Sequence, residues 1–253
     1  GDYGIGTLDD HCQKFIDFLS DAGFTYWQVC PLGPTGFGDS PYQSFSSFAG
    51  NPYLISLEAM ADHGLLDPAI LEDLSTLPKS IVDYGALFNA KWPILNAIYS
   101  TYIKNSSIKL PYGDFDEFCS QEASWLEPFA FFQALKSNFK GAPWGQWPAK
   151  YRDYDKAIKA PTPEKLVHEI EAQKFYQYLF FGQWRRIRDH AASKGVRIIG
   201  DIPIFVALDS ADVWQNQSYF QIDPKTSDPI AVAGCPPDYF SKDGQYWGNP
   251  LYD

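Results

Sequence analysis

The feature that most limits what this chain can fold into is the run at residues 196–207, VRIIGDIPIFVA, an apolar segment carrying one carboxylate, Asp201. Val196, Ile198, Ile199, Ile202, Ile204 and Val206 are β-branched, which at this length favours a buried strand over a helix. Gly200, Asp201 and Pro203 suit a strand interior poorly. They are expected to mark the strand's end, where a barrel or open sheet presents polar groups. Burying a carboxylate is costly unless hydrogen bonds or charges compensate. Asp201 therefore either pins the following loop or meets a ligand, and both readings stay open on the residue alone.

Residues 223–252 sharpen the constraint. Apolar periodicity is weak there, yet Tyr239, Phe240, Tyr246, Trp247 and Tyr252 stand among Gly234, Gly244, Gly248, Pro236, Pro237 and Pro250. Disordered segments are poor in aromatics, so this reads as an ordered functional loop. Flat rings beside amides and carboxylates suit sugars, whose C–H faces stack while their hydroxyls take hydrogen bonds. The alternative is that the rings pack the loop onto its scaffold.

At 253 residues and 45% hydrophobic content, the chain is long enough to bury a real core. A net charge of −11 excludes a polyanion such as nucleic acid as partner, and no run has the length of a membrane span. Cys12 and Cys30 sit in apolar text and are expected to be small buried residues. With Cys119 and Cys235 they form no disulfide or zinc pattern, which fits a reducing, cytoplasmic setting. The opening GDYGIG reads as the interior of a loop, so a natural start upstream is expected. His11, His63, His168 and His190 belong to no paired motif and are assigned neither catalysis nor metal.

In chain order, Thr7 is placed to cap a helix ending at Gly23, and residues 25–32 (TYWQVCPL) read as a strand. Residues 33–53 form a loop rich in glycine and proline that offers Asp39, Ser40, Tyr42, Gln43, Ser44 and Ser46. From Ser56 to about Phe180 the text is mostly helical, with Pro93 as a kink or restart and a break near Ser124. Trp144 and Trp147 lie in a loop; contact with a ligand is open to them but is not the favoured reading. A helix starting at Thr162-Pro163-Glu164 runs towards Gly195, with Gly182 as a potential break and Arg185, Arg186 and Arg188 as a solvated face. A short strand is expected at residues 54–57, and Asp209 and Asp212 as caps of the DSADVW turn.

Three stretches, GDIPIFVALDSADVW, AGCPPDYFSKDGQYWGNPLY and PLGPTGFGDSPYQSFSSFAGNPYLI, resemble the 4-alpha-glucanotransferase family, the amylomaltases or disproportionating enzymes. The similarity runs from about Tyr3 to the last residue. It implies an α/β fold: a partial (β/α)8 TIM barrel, first strands only, with a large, mostly helical inserted subdomain. The divisions are then 1–57, the start of the barrel with a substrate loop and TYWQVCPL as first barrel strand; 58–180, the insertion; and 181–253, a barrel continuation truncated before the later strands.

The resemblance implies transfer of α-1,4-glucan segments by a retaining double displacement, with a maltooligosaccharide partner, no cofactor and no metal. Retention needs two carboxylates about 5–5.5 Å apart. In the family these follow the Gly-Asn-Pro-Leu-Tyr element, the nucleophile within an Arg-x-Asp-His pattern that this chain lacks. The expectation is a supporting set. Asp201 helps hold the active-site loops, and Ser40 and Tyr42 line the donor side. Tyr239, Phe240, Gln245 and Trp247 form a covering aromatic loop, with Asn249 a nearby hydrogen-bonder. An α-glucan hydrolase of the same barrel family, or a non-catalytic carbohydrate-binding fragment, is the alternative.

Overall fold

The computed structural model describes residues 1–105 and 107–253. Helix α1 (Asp10–Asp21) begins where the Asp9 carboxylate accepts the backbone N–H groups of His11 and Cys12 at 2.9 and 3.2 Å. Thr7, expected as the cap, instead donates its hydroxyl to Asp9 and so supports the cap from outside. Gly23, at φ 80°, takes the left-handed conformation that ends the helix, as the sequence suggests.

Strand β1 (Tyr26–Gln28) pairs in parallel with β2 (Arg197–Ile199), Trp27 opposite Ile198. Both are shorter than the apolar runs that contain them. The expected buried strand stops at Ile199, and Ile202 and Ile204 are exposed. Gly200 and Asp201, both poor strand residues, follow at once, and Pro203 lacks the N–H that a resumed ladder would need. What β1 and β2 do bury is one side, where Trp27 and Ile198 pack on Ile16, Leu19, Ile187, Ala191 and Val196. The strand expected at residues 54–57 is absent. Pro52–Leu54 is a 3-10 turn, and Ser56 accepts from the Ala59 N–H to start α2 (Leu57–Asp62).

Aspartates then recur as helix starts. After α3 (Ala69–Leu74), Asp83 caps α4 (Tyr84–Lys104) and Asp114 caps α5 (Phe115–Gln121). Pro93 lies inside α4 without restarting it, and the break after α5 falls at Glu122, before α6 (Ala123–Asn138). Asp153 caps the short α7 (Tyr154–Ala157). Helix α8 (Glu164–Ser193) runs unbroken through Gly182. That glycine is there for space: a Cβ would lie 2.3 Å from the Tyr112 ring. Arg185, Arg186 and Arg188 are solvent-exposed, as a solvated face should be. Ser210, not Asp209 or Asp212, caps α9 (Ala211–Gln215), because its short side chain reaches the Val213 N–H at 3.2 Å. An antiparallel hairpin, β3 (Val232–Cys235) and β4 (Gln245–Pro250), closes the chain with Cys235 opposite Gln245.

Contacts divide the chain into two units. The first comprises Gly1–Leu32, Gly50–Glu122 and Lys174–Asp201. Two α8 glutamines organise it. Gln177 accepts from the Gly50 N–H (2.7 Å) and donates to the Gly50 carbonyl (2.9 Å). Gln183 does the same for Ser56 (2.8 and 3.3 Å). Both side chains are buried, so an irregular segment gets its backbone partners from a helix. Gly50 also abuts Phe180, whose ring a Cβ would meet at 2.0 Å. Lys91 is fully buried, its Nζ donating to the Tyr53 carbonyl at 2.7 Å. A cavity of about 460 Å³ in this unit is lined largely by apolar side chains such as Leu8, Cys12, Trp27 and Val29 and holds none of the expected site residues.

The second unit comprises Gly33–Ala49, Ala123–Gln173 and Ile202–Asp253. Its core is aromatic: Phe129, Phe132, Trp144, Trp147 and Trp214. Trp144 and Trp147 are buried, donating their indole N–H to the carbonyls of Leu208 and Ala142, so both rings belong to the core. Lys136, beside the Phe45 and Phe132 rings, pairs with Asp209. Against expectation Cys30 is exposed and Cys12 only partly buried, since β1 covers one face alone; all four cysteines are free thiols.

Candidate functional site

Every expected site residue except Asp201 belongs to the second unit. The loop bearing Ser40 and Tyr42 doubles back on itself: Gly36 N–H donates to the Gln43 carbonyl (2.8 Å) and Phe45 N–H to the Pro34 carbonyl (3.0 Å). A Cβ on Gly36 would lie 2.7 Å from that Gln43 oxygen, so the close approach requires glycine. At the tip, Ser40 Oγ accepts from the Tyr42 N–H (3.3 Å), and the Tyr42 ring is exposed.

Farther along, the Ala211 N–H donates to the Phe45 carbonyl (2.8 Å). Ser47 donates its N–H and its hydroxyl to the Asp212 carboxylate at 2.9 and 2.7 Å. Burial pushes Asp212 above the ordinary carboxylate range, while the Ser47 hydrogen bonds pull it back. Helix α9 thus anchors one end of the loop.

The β3–β4 hairpin carries the second aromatic group. Asp238 accepts from the N–H groups of Phe240 and Ser241 (2.9 and 2.8 Å), and Ser241 Oγ donates to the Gly244 carbonyl. Gly244, at φ 74°, would place a Cβ 2.5 Å from the Cys235 carbonyl oxygen. On this tight turn Tyr239 and Phe240 stand 96% and 90% exposed, their rings edge to face at 5.7 Å. Exposing two large rings on a structured turn leaves apolar area uncovered that folding does not use.

On β4, the Trp247 indole N–H donates to Gln245 Oε1 (3.0 Å), so the polar edge of the ring is satisfied while its faces stay partly open. Trp247 packs on Phe205, which stacks with Tyr252. Asn249 is buried: Oδ1 accepts from Gln43 Nε2 (2.8 Å) and Nδ2 donates to the Phe205 carbonyl (3.1 Å). It joins three segments.

The structure therefore brings Trp247 and Asn249 together through Gln43, and sets Gln245 against Trp247. Asp201 is exposed in the first unit, just past the end of β2. Phe205 was passed over in the sequence, and Gln43 was named there only among the loop's polar groups, without a role. The available signal for Gln43 was its place in GDSPYQS, beside Tyr42. Among the described residues no group of three His, Cys, Asp or Glu side chains is arranged to hold a metal, and no helix is long and apolar enough to cross a membrane.

A family profile described as 4-alpha-glucanotransferase matches residues 1–253. The chain belongs to the 4-alpha-glucanotransferase family. Among its relatives, the 4-alpha-glucanotransferase of Thermus thermophilus is 47% identical over 252 residues, covering 100% of this chain and 49% of that protein. The 4-alpha-glucanotransferase of Clostridium butyricum is 42% identical over 256 residues, covering 100% of this chain and 51% of that protein. The solved amylomaltase from Streptococcus agalactiae in complex with acarbose superposes with a TM-score of 0.91 at 37% identity, over 100% of this chain and 50% of that one. The chain thus spans about half the length of the 4-alpha-glucanotransferases it matches, and its fold is amylomaltase-like.

Proposed function

We propose that the protein acts on α-1,4-glucans, cleaving and rejoining chains by a retaining double displacement as a 4-alpha-glucanotransferase. The observation that carries this reading is family membership along the whole chain. Rigidly mounted, exposed rings at Tyr42, Tyr239, Phe240 and Trp247, flanked by Ser40 and Gln245, add to it. Such a set suits a polymer that presents C–H faces and hydroxyls in alternation. The acarbose bound to the Streptococcus agalactiae amylomaltase supports a sugar ligand here.

No Arg-x-Asp-His element occurs in these 253 residues, so we assign the chain binding and covering surfaces and not the displacing carboxylates. Tyr42 and Ser40 line the donor side. Tyr239, Phe240, Gln245 and Trp247 cover the acceptor side, where excluding water lets a sugar hydroxyl resolve the intermediate. Asn249 acts as a scaffold for these loops, and Asp201 pins the segment that follows β2. The parallel β1–β2 pair belongs to a (β/α)8 barrel, and the helices of residues 58–180 are an insertion between its strands. Four free thiols support a reducing compartment.

The test is incubation of the purified full-length protein carrying this chain with maltotriose. A ladder of longer maltooligosaccharides is the expected result. Glucose and maltose alone would make it a hydrolase, and unaltered maltotriose bound in a complex would make it a binding protein.

A further inference from the structure

We infer that Gln43 is a positioning residue whose carboxamide couples the turn carrying Tyr42 to the strand carrying Trp247, so that two aromatic surfaces are held as one body. The inference rests on the glucanotransferase reading for its kinetic consequence, though not for its geometry. The Gln43 Nε2 donates to Asn249 Oδ1 at 2.8 Å and to the Trp247 carbonyl at 3.3 Å. Its own backbone is fixed, the N–H on the Ser40 carbonyl (3.1 Å) and the carbonyl on the Gly36 N–H (2.8 Å). One residue earlier is Tyr42. The partner is equally fixed, since Asn249 is only 4% exposed and spends its own N–H on the Phe205 carbonyl.

The chemistry demanded at both positions is narrow. Residue 43 must supply N–H donors to two oxygens, which a carboxylate cannot do and a serine is too short to do. Residue 249 must accept and donate at once, which an aspartate cannot do. A hydrophobic residue at 43 would leave Asn249 Oδ1 buried and unpaired, which disfavours the present arrangement. The relation between the rings of Tyr42 and Trp247 would then loosen. Transfer needs an acceptor sugar held well enough to outcompete water, so it should suffer more than hydrolysis.

Two measurements test this. In the full-length protein carrying this chain, Gln43→Leu and Gln43→Glu should each lower the ratio of transfer to hydrolysis on maltotriose, and raise the acceptor KM, by about tenfold, the factor that ~1.4 kcal/mol represents. A fall in melting temperature with ratio and KM unmoved would reduce Gln43 to a purely structural residue and overturn the inference. Separately, in the same protein labelled with 5-fluorotryptophan, the Trp247 resonance is identified by its loss in Trp247→Phe. Gln43→Leu and Asn249→Ala should each shift it, and the double variant should shift it no further than the larger single change. Independent, additive shifts would overturn the coupling. If maltotriose yields no products with the unaltered protein, the glucanotransferase reading falls, and the fluorine experiment still decides whether the two surfaces are joined.

Discussion

Residues 33–49 and residues 50–56 are neighbours in the chain and are held by opposite means. The first stretch is tied by its own outward-reaching side chains, Gln43 to Asn249 and Ser47 to Asp212, and keeps the Tyr42 ring in solvent. In the second, helix α8 reaches in, Gln177 and Gln183 satisfying the backbone of Gly50 and Ser56 inside a closed core. The difference teaches where each segment's stability resides. Buried backbone groups with a single partner are expensive to orphan, whereas exposed rings contribute little to folding and are free to serve a ligand.

Perturbations should therefore rank in one order for stability and nearly the reverse for sugar binding. The largest destabilisation is expected from Gln177→Leu, which strands the Gly50 N–H and carbonyl together at about 1–3 kcal/mol each, read from the urea midpoint. A loss below that from Ser47→Ala would break the comparison. Next comes Gly50→Ala, where a methyl would lie 2.0 Å from the Phe180 ring and overpacking costs about 1–3 kcal/mol. A Phe180→Leu change in the same chain should recover part of that loss.

Lys91 gives a pH-dependent member of the series. Burial lowers its amine from the ordinary 10.5 to about 7, with the Asp9 charge opposing. Between those values the unfolded chain binds the extra proton, so the penalty is full below about pH 7 and fades as pH rises towards 10.5. Melting temperature should climb more steeply from pH 7 to 9.5 in the unaltered chain than in Lys91→Met. Equal slopes would mean that the amine stays charged inside the fold.

The smallest effects on stability belong to the hairpin. Tyr239→Ala and Phe240→Ala should move the urea midpoint by less than about 0.5 kcal/mol, as surface changes do, while weakening maltoheptaose binding by calorimetry. Unaltered sugar affinity in both would remove these rings from the binding surface.

Much of the local structure was legible because its causes are local. Gly23 could be placed from the text as the end of α1, and Arg185, Arg186 and Arg188 as a solvated face. What escaped had partners far along the chain. Residues 54–57 look like strand text, yet the Ser56 backbone finds its partner in Gln183, 127 residues away, and not in a sheet. Cys30 looked buried because apolar neighbours were assumed to have a sheet on both sides. Tyr239, Phe240 and Trp247 stood out in the text as aromatics in an aperiodic loop, whereas the tie made by Gln43 did not. Its importance lies in two oxygens that arrive 204 and 206 residues later.

The Asp238 turn has a consequence for the thermodynamics of association. Because one carboxylate already holds the N–H groups of Phe240 and Ser241, the loop's conformational entropy is surrendered at folding and not at encounter. A ligand that meets Tyr239 and Phe240 has only a few side-chain torsions to freeze. The free energy gained from covering the rings is then spent almost wholly on affinity, and Asp238→Ala should weaken binding through a more unfavourable entropy, with the rings themselves intact.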